Sequence, residues 1–75
     1  MCLAIPGIIS SQFTRDGMRM AKVSFSGLIK TVCTEWVPEA KVGDYILSHA
    51  GTAISIVDPE EAQKTLSLLD EMNQP

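Results

Sequence analysis

One histidine, His49, and two cysteines, Cys2 and Cys33, are the only imidazole and thiol groups in this 75-residue chain. Three such groups cannot build a closed four-ligand zinc site from thiols and imidazole alone. The cysteines do not form a C-x-x-C pair, which argues against a dithiol redox carrier. Aromatic residues make up 5% of the chain, and six Lys and Arg stand against nine Asp and Glu, giving a net charge of -3. Single-stranded nucleic-acid modules need a basic groove and stacking aromatics, and Trp36, Tyr45, Phe13 and Phe25 are few for that task. No apolar run approaches the roughly 20 residues that span a bilayer, and the N-terminus has no basic stretch followed by a long apolar one. The expectation is a cytoplasmic protein with neither membrane nor nucleic acid as partner. Neither G-x-G-x-x-G, a P-loop nor a nucleophile elbow occurs, and the three-group logic of nucleophilic catalysis lacks an orienting residue, so no enzyme is expected.

What is present reads as short strands separated by turns. Ile8–Phe13 is strand-like, and Arg15-Asp16-Gly17 supplies hairpin chemistry. Met18–Phe25 returns as the partner, with Ala21, Val23 and Phe25 alternating against Lys22 and Ser24. After Ser26-Gly27, a β-branched run is expected from Leu28 to Val37, ended by Pro38. It carries Ile29, Thr31, Cys33 and Val37 on one face and Leu28, Lys30, Val32 and Thr34 on the other. Tyr45–Ala50 and Thr52–Val57 complete five strands around a bend at Gly51. Closure into a small barrel removes the edges that a flat five-stranded sheet would expose.

From Asp58 the code changes. Asp58 can cap a helix, Pro59 suits its first turn, and Glu60 and Glu61 face the positive end of its dipole. The apolar stripe Ala62, Leu66, Leu69 and Met72 predicts a helix to about Met72 that must pack on the barrel or a partner. The fold expected is thus all-β with one C-terminal helix: a single domain with an N-terminal arm over 1–7, an OB-like β-barrel over 8–57 and an amphipathic helix over 58–72.

The chemistry concentrates in few residues. Removal of Met1 would leave Cys2 with a thiol beside an α-ammonium of pKa near ~8, which favours thiolate. Such a thiolate on a tethered arm is a soft ligand, while the plain reading is a small residue in a tail. Cys33, within a β-branched strand, reads as an inert core thiol, and a Cys2–Cys33 disulfide is a third option. His49, before the glycine bend and on the side of Tyr45 and Leu47, reads as structural or exposed by itself, and as half of a thiolate–imidazole pair beside Cys2. Asp58, Leu66 and Leu69 are structural.

Three segments together carry a resemblance. Met1-Cys2-Leu3-Ala4-Ile5-Pro6-Gly7, Gly43-Asp44-Tyr45-Ile46-Leu47-Ser48-His49-Ala50-Gly51 and Asp58-Pro59-Glu60-Glu61-Ala62 before Leu66-Ser67-Leu68-Leu69 make the chain resemble the HypC/HupF family of nickel-iron hydrogenase maturation chaperones. The resemblance covers essentially the whole chain. It implies a non-enzymatic OB-like barrel that binds the maturation protein HypD and shares with it an iron as Fe(CN)2(CO). That unit then goes to the precursor of the hydrogenase large subunit. The family cysteine falls on Cys2 and the family histidine on His49, so the implied metal ligands are Cys2 and His49. The implied partner contacts are Cys2, Leu3, Ala4, Ile5, Pro6 and Gly7. Many relatives carry a basic residue where this chain has Ile8 and an aromatic where it has Thr52, positions that bear on the choice of partner.

Overall fold

The computed structural model describes the backbone of residues 5–72 and the side chains of residues 5–68. Cys2, Leu3 and Ala4 lie outside the described residues. Five strands, β1 (Gly7–Arg15), β2 (Met18–Phe25), β3 (Leu28–Cys33), β4 (Tyr45–His49) and β5 (Thr52–Val57), precede one helix, α1 (Pro59–Met72). The strands close into a barrel in the order β1-β2-β3-β5-β4, with β3 and β5 parallel and the other neighbours antiparallel. This is the expected OB-like barrel with its C-terminal helix.

Three hairpins are closed by two-residue turns of one kind. Asp16-Gly17, Ser26-Gly27 and Ala50-Gly51 all have positive φ at both positions, the geometry whose twist matches that of paired strands. Glycine takes the second place of each turn at little steric cost, while Ala50, at φ 53, stands in a region unfavourable to a residue with a Cβ. Two bulges bend the wall. The β1–β2 register slips between Ile9 and Ser11, leaving Ser10 as the extra residue, and Ser10 Oγ donates to the Lys22 carbonyl at 3.0 Å. The β4–β5 register slips between Leu47 and Ser48, which leaves Ile54 without an opposite number.

The core is small: Ile9, Ala21, Val23, Val32, Val37, Ala40, Ile46 and Ala53 pack together, with Phe25 against them. Burial of a large apolar side chain contributes roughly 1.5–3 kcal/mol, and Ile9, Ile46, Val23 and Val32 are the largest that are fully buried. The third strand departs from the sequence expectation. It ends at Cys33, and Thr34–Asp44 winds through turns marked by hydrogen bonds from Val37 N to Thr34 O, from Ala40 N to Val37 O and from Asp44 N to Lys41 O. These turns place Val37 and Ala40 in the core, whereas Trp36 stays 74% exposed. Its inner face is the one bearing Val32 and Thr34. Cys33, expected in the core, is half-buried and free. Cross-strand partners share a face, and Ala21 and Val23 oppose Val32 and Lys30, so the inner face of β2 dictates that of β3.

Asp58 caps α1: its Oδ1 accepts a bond from Glu60 N at 2.8 Å, and Ala62 N donates to its carbonyl at 2.9 Å. Ala62 is fully buried and Leu66 half-buried, and Gln63 Nε2 donates to Tyr45 Oη at 2.7 Å. The helix therefore meets the barrel through its first turns, at the start of β4, and Leu68 is exposed. The side chain of Leu69 lies outside the described residues. No helix among the described residues is long and apolar enough to cross a membrane.

Candidate functional site

The barrel closes between β1 and β4 over a short seam, Gly7 opposite Ile46 and Ile8 opposite Tyr45, extended by bonds from Ile9 N to Asp44 O and from Gly43 N to Ile9 O. Because the pair is antiparallel, the chain running back from Gly7 through Pro6 to Ile5 heads along β4 toward its far end, where His49 stands. Pro6 and Gly7 are buried and Gly7 is the first residue of β1, so the arm expected over residues 1–7 is anchored in the barrel by its last two positions. A Cβ on Gly7 would lie 2.5 Å from Val23 Cγ1 and 2.6 Å from a Phe25 ring carbon, which explains why this position has no side chain. Ile5, 39% exposed, is the first described residue outside that anchor.

Ile5 and His49 line one open groove of about 610 Å³, with Phe25, Leu28, Lys30 and Ile54 among its other walls. Each wall has a local cause. Phe25 and Leu28 flank the Ser26-Gly27 turn, His49 flanks the Ala50-Gly51 turn, and the β5 bulge turns Ile54, 47% exposed, toward the same space. The groove opens because β3 meets β5 at one pair alone, Cys33 opposite Thr52. Thr52 in turn opposes His49, so imidazole, hydroxyl and thiol form a row on one face across three strands. The His49 ring is exposed and makes no hydrogen bond to another described residue. Among the described residues no three His, Cys, Asp or Glu side chains gather as a metal cage. A metal held here would therefore need donors from outside them.

The sequence pointed to His49 and Ile5 but not to Phe25, Leu28, Lys30 and Ile54 as groove walls. Their signal was available in part. The two-residue turn at Ser26-Gly27 fixes Phe25 opposite Leu28 and Val23 opposite Lys30, placing Leu28 and Lys30 on the same face of β3 as the buried Val32.

A barrel this small, with Ile5 and His49 bordering one open groove, is a module whose candidate site lies at the surface and is not enclosed. The HupF/HypC family model matches residues 1–69. The chain is 54% identical to hydrogenase maturation factor HypC of Synechocystis, over 96% of this chain and 97% of that one. It is 45% identical to HypC of Rhizobium leguminosarum bv. viciae, over 95% and 91%, and 33% identical to hydrogenase maturation factor HybG of Escherichia coli K12, over 97% and 93%. The chain belongs to the HupF/HypC family, a family of maturation factors and not of enzymes.

Proposed function

We propose that this chain is a metallochaperone of nickel-iron hydrogenase maturation. With HypD it holds an Fe(CN)2(CO) unit through the thiolate of Cys2 and hands it to the precursor of the hydrogenase large subunit, in the cytoplasm. The observation that carries this reading is that Ile5 and His49 border the same groove. Cys2 precedes Ile5 by three residues, a reach of about 10 Å in extended chain, comparable to two interstrand spacings of about 4.8 Å. Cys2 and His49 can thus meet at one cargo iron. A thiolate suits ferrous iron carrying cyanide and carbonyl, a soft centre that favours electron-rich donors. His49 either donates to that iron or orients the thiol.

Transfer requires release, and a donor pair from one short chain, with the diatomic ligands taking most of the remaining positions, closes no protein cage around the iron. Ligand exchange with cysteines of the recipient then needs no cage to open. Leu3, Ala4 and Ile5 supply apolar surface to HypD, while Pro6 and Gly7 act from below by fixing where the arm leaves the barrel. Pro6 narrows the arm's directions and so lowers the entropy lost on docking. An OB-type nucleic-acid module is disfavoured by a groove whose one lysine or arginine is Lys30.

The decisive experiment is infrared spectroscopy of the chain purified together with HypD. Cyanide and carbonyl stretches are expected in the wild type and absent in Cys2→Ala, with the variant's fold unchanged by circular dichroism. Undiminished stretches in Cys2→Ala, or full hydrogenase activity in cells carrying only that variant, would refute the proposal.

A further inference from the structure

From Ile29 to Thr31 the edge of β3 turned away from β2 is unpaired among the described residues. Cys33 N donates to the Gly51 carbonyl at 2.9 Å, on the side away from β2. Both backbone groups of a strand residue point one way and alternate along the strand, so the N–H and C=O of Thr31 and Ile29 point to that same side. There they meet no strand, since β3 pairs with β5 only at Cys33, and no described residue bonds to them. Leu28 and Ile29 beside this edge are 58% and 54% exposed, and the groove lined by Leu28, Lys30 and Ile54 runs along it. Unpaired edges of this kind are templates for an added strand.

We propose that β3 receives an extended segment of a partner polypeptide, which adds as a further strand to the Ile29 and Thr31 backbone. Its alternate side chains would be apolar and enter the groove, and one carboxylate would meet Lys30. The charge pattern selects this occupant over a second copy. An edge lysine blunts pairing between like edges, and each copy carries a net charge of -3. The proposal deepens the reading above, on which the chain works by docking to HypD and to the hydrogenase precursor.

Thr31→Pro tests it, because proline removes only an outward N–H while the bonds of Lys30 and Val32 to β2 remain. Thr31→Val keeps the N–H with a side chain of similar shape. Binding of full-length chains to HypD and to the precursor is measured by calorimetry, with amide hydrogen exchange of the wild type free and in each complex. Expected in at least one complex are exchange at Ile29 and Thr31 slowed tenfold or more, affinity lowered tenfold or more by Thr31→Pro, and affinity within twofold for Thr31→Val. Exchange of both amides as in the free chain in both complexes overturns the strand addition and leaves the proposed function standing. That exchange result decides even if Thr31→Pro fails to fold. Equal loss in both variants assigns recognition to the Thr31 side chain and also overturns it. Slow exchange already in the free chain, abolished by removing residues 1–4 or by dilution of a dimer, gives the edge to the chain's own arm or to a second copy and likewise overturns it. Failure of the wild type to bind either protein overturns the functional reading and this docking together.

Discussion

Replacing Gly7 by alanine adds one methyl group at the anchor of the N-terminal segment, and the structure fixes what it would meet. The new carbon would lie 2.5 Å from Val23 Cγ1 and 2.6 and 2.7 Å from two carbons of the Phe25 ring. Carbon pairs prefer about 3.5–4.0 Å, so each contact is about 1 Å too short. Val23 is fully buried in the core and has nowhere to go, while Phe25 is half-buried and can yield only by swinging into the groove it helps to wall. Two effects compete. Alanine restricts the unfolded chain and so stabilises by about 0.4–1 kcal/mol, whereas overpacking a filled core costs about 1–3 kcal/mol. Overpacking wins at the middle of both ranges, and a net loss of about 1.3 kcal/mol lowers the melting temperature of a domain this size by about 5–10 °C.

Far-UV circular dichroism is the suitable assay, since the single tryptophan, Trp36, is 74% exposed and its emission reports little of the core. The steric origin has a second signature: in a Val23→Ala background the same substitution should cost less, by at least about 0.5 kcal/mol, because the neighbours share one space. A Gly7→Ala protein that melts at or above the wild-type temperature would refute the reasoning. Additive effects in the double variant would show that the cost arises elsewhere.

Asp58→Ala removes the acceptor of Glu60 N at the start of α1 and should lower stability by about 1 kcal/mol in urea unfolding, with the loss concentrated in helical signal; an unchanged midpoint would disprove the cap. Ala50→Asn, placed where φ is 53, should raise stability by about 0.5–1 kcal/mol, because asparagine tolerates the left-handed region better than alanine. A destabilised variant would show that the alanine methyl itself is needed beside His49. His49→Ala should leave stability within about 0.5 kcal/mol, the ring being exposed and without a described hydrogen-bond partner. It should also reduce the iron retained with HypD more than it reduces binding to HypD, and undiminished iron would remove His49 from the site.

The parts of this fold that were legible in the sequence are those set by local chemistry. Two Xaa-Gly turns, the period-two pattern of Ala21, Val23 and Phe25, and the Asp58-Pro59 start of the helix each act over a few residues, and each appears where expected. The expected strand to Val37 failed because Val37 and Ala40 enter the core from successive turns, and a strand and a turn can both deliver a buried valine. Cys33 was misplaced for the same reason: counting alternation back from Val37 gives the wrong inner face, whereas counting forward from the Ser26-Gly27 turn gives the right one. Lys30 on the inner side looks forbidden in a barrel until its position is known. It stands where β3 outruns β5, at the open mouth, and its charge reaches solvent through the groove. The nearness of Ile5 to His49 was not legible from spacing, because it depends on the single seam that runs β1 back along β4. Closure of the barrel thus does two things with one set of backbone bonds: it seals the core at Gly7 and Ile46, and it brings Ile5 to the groove that His49 borders.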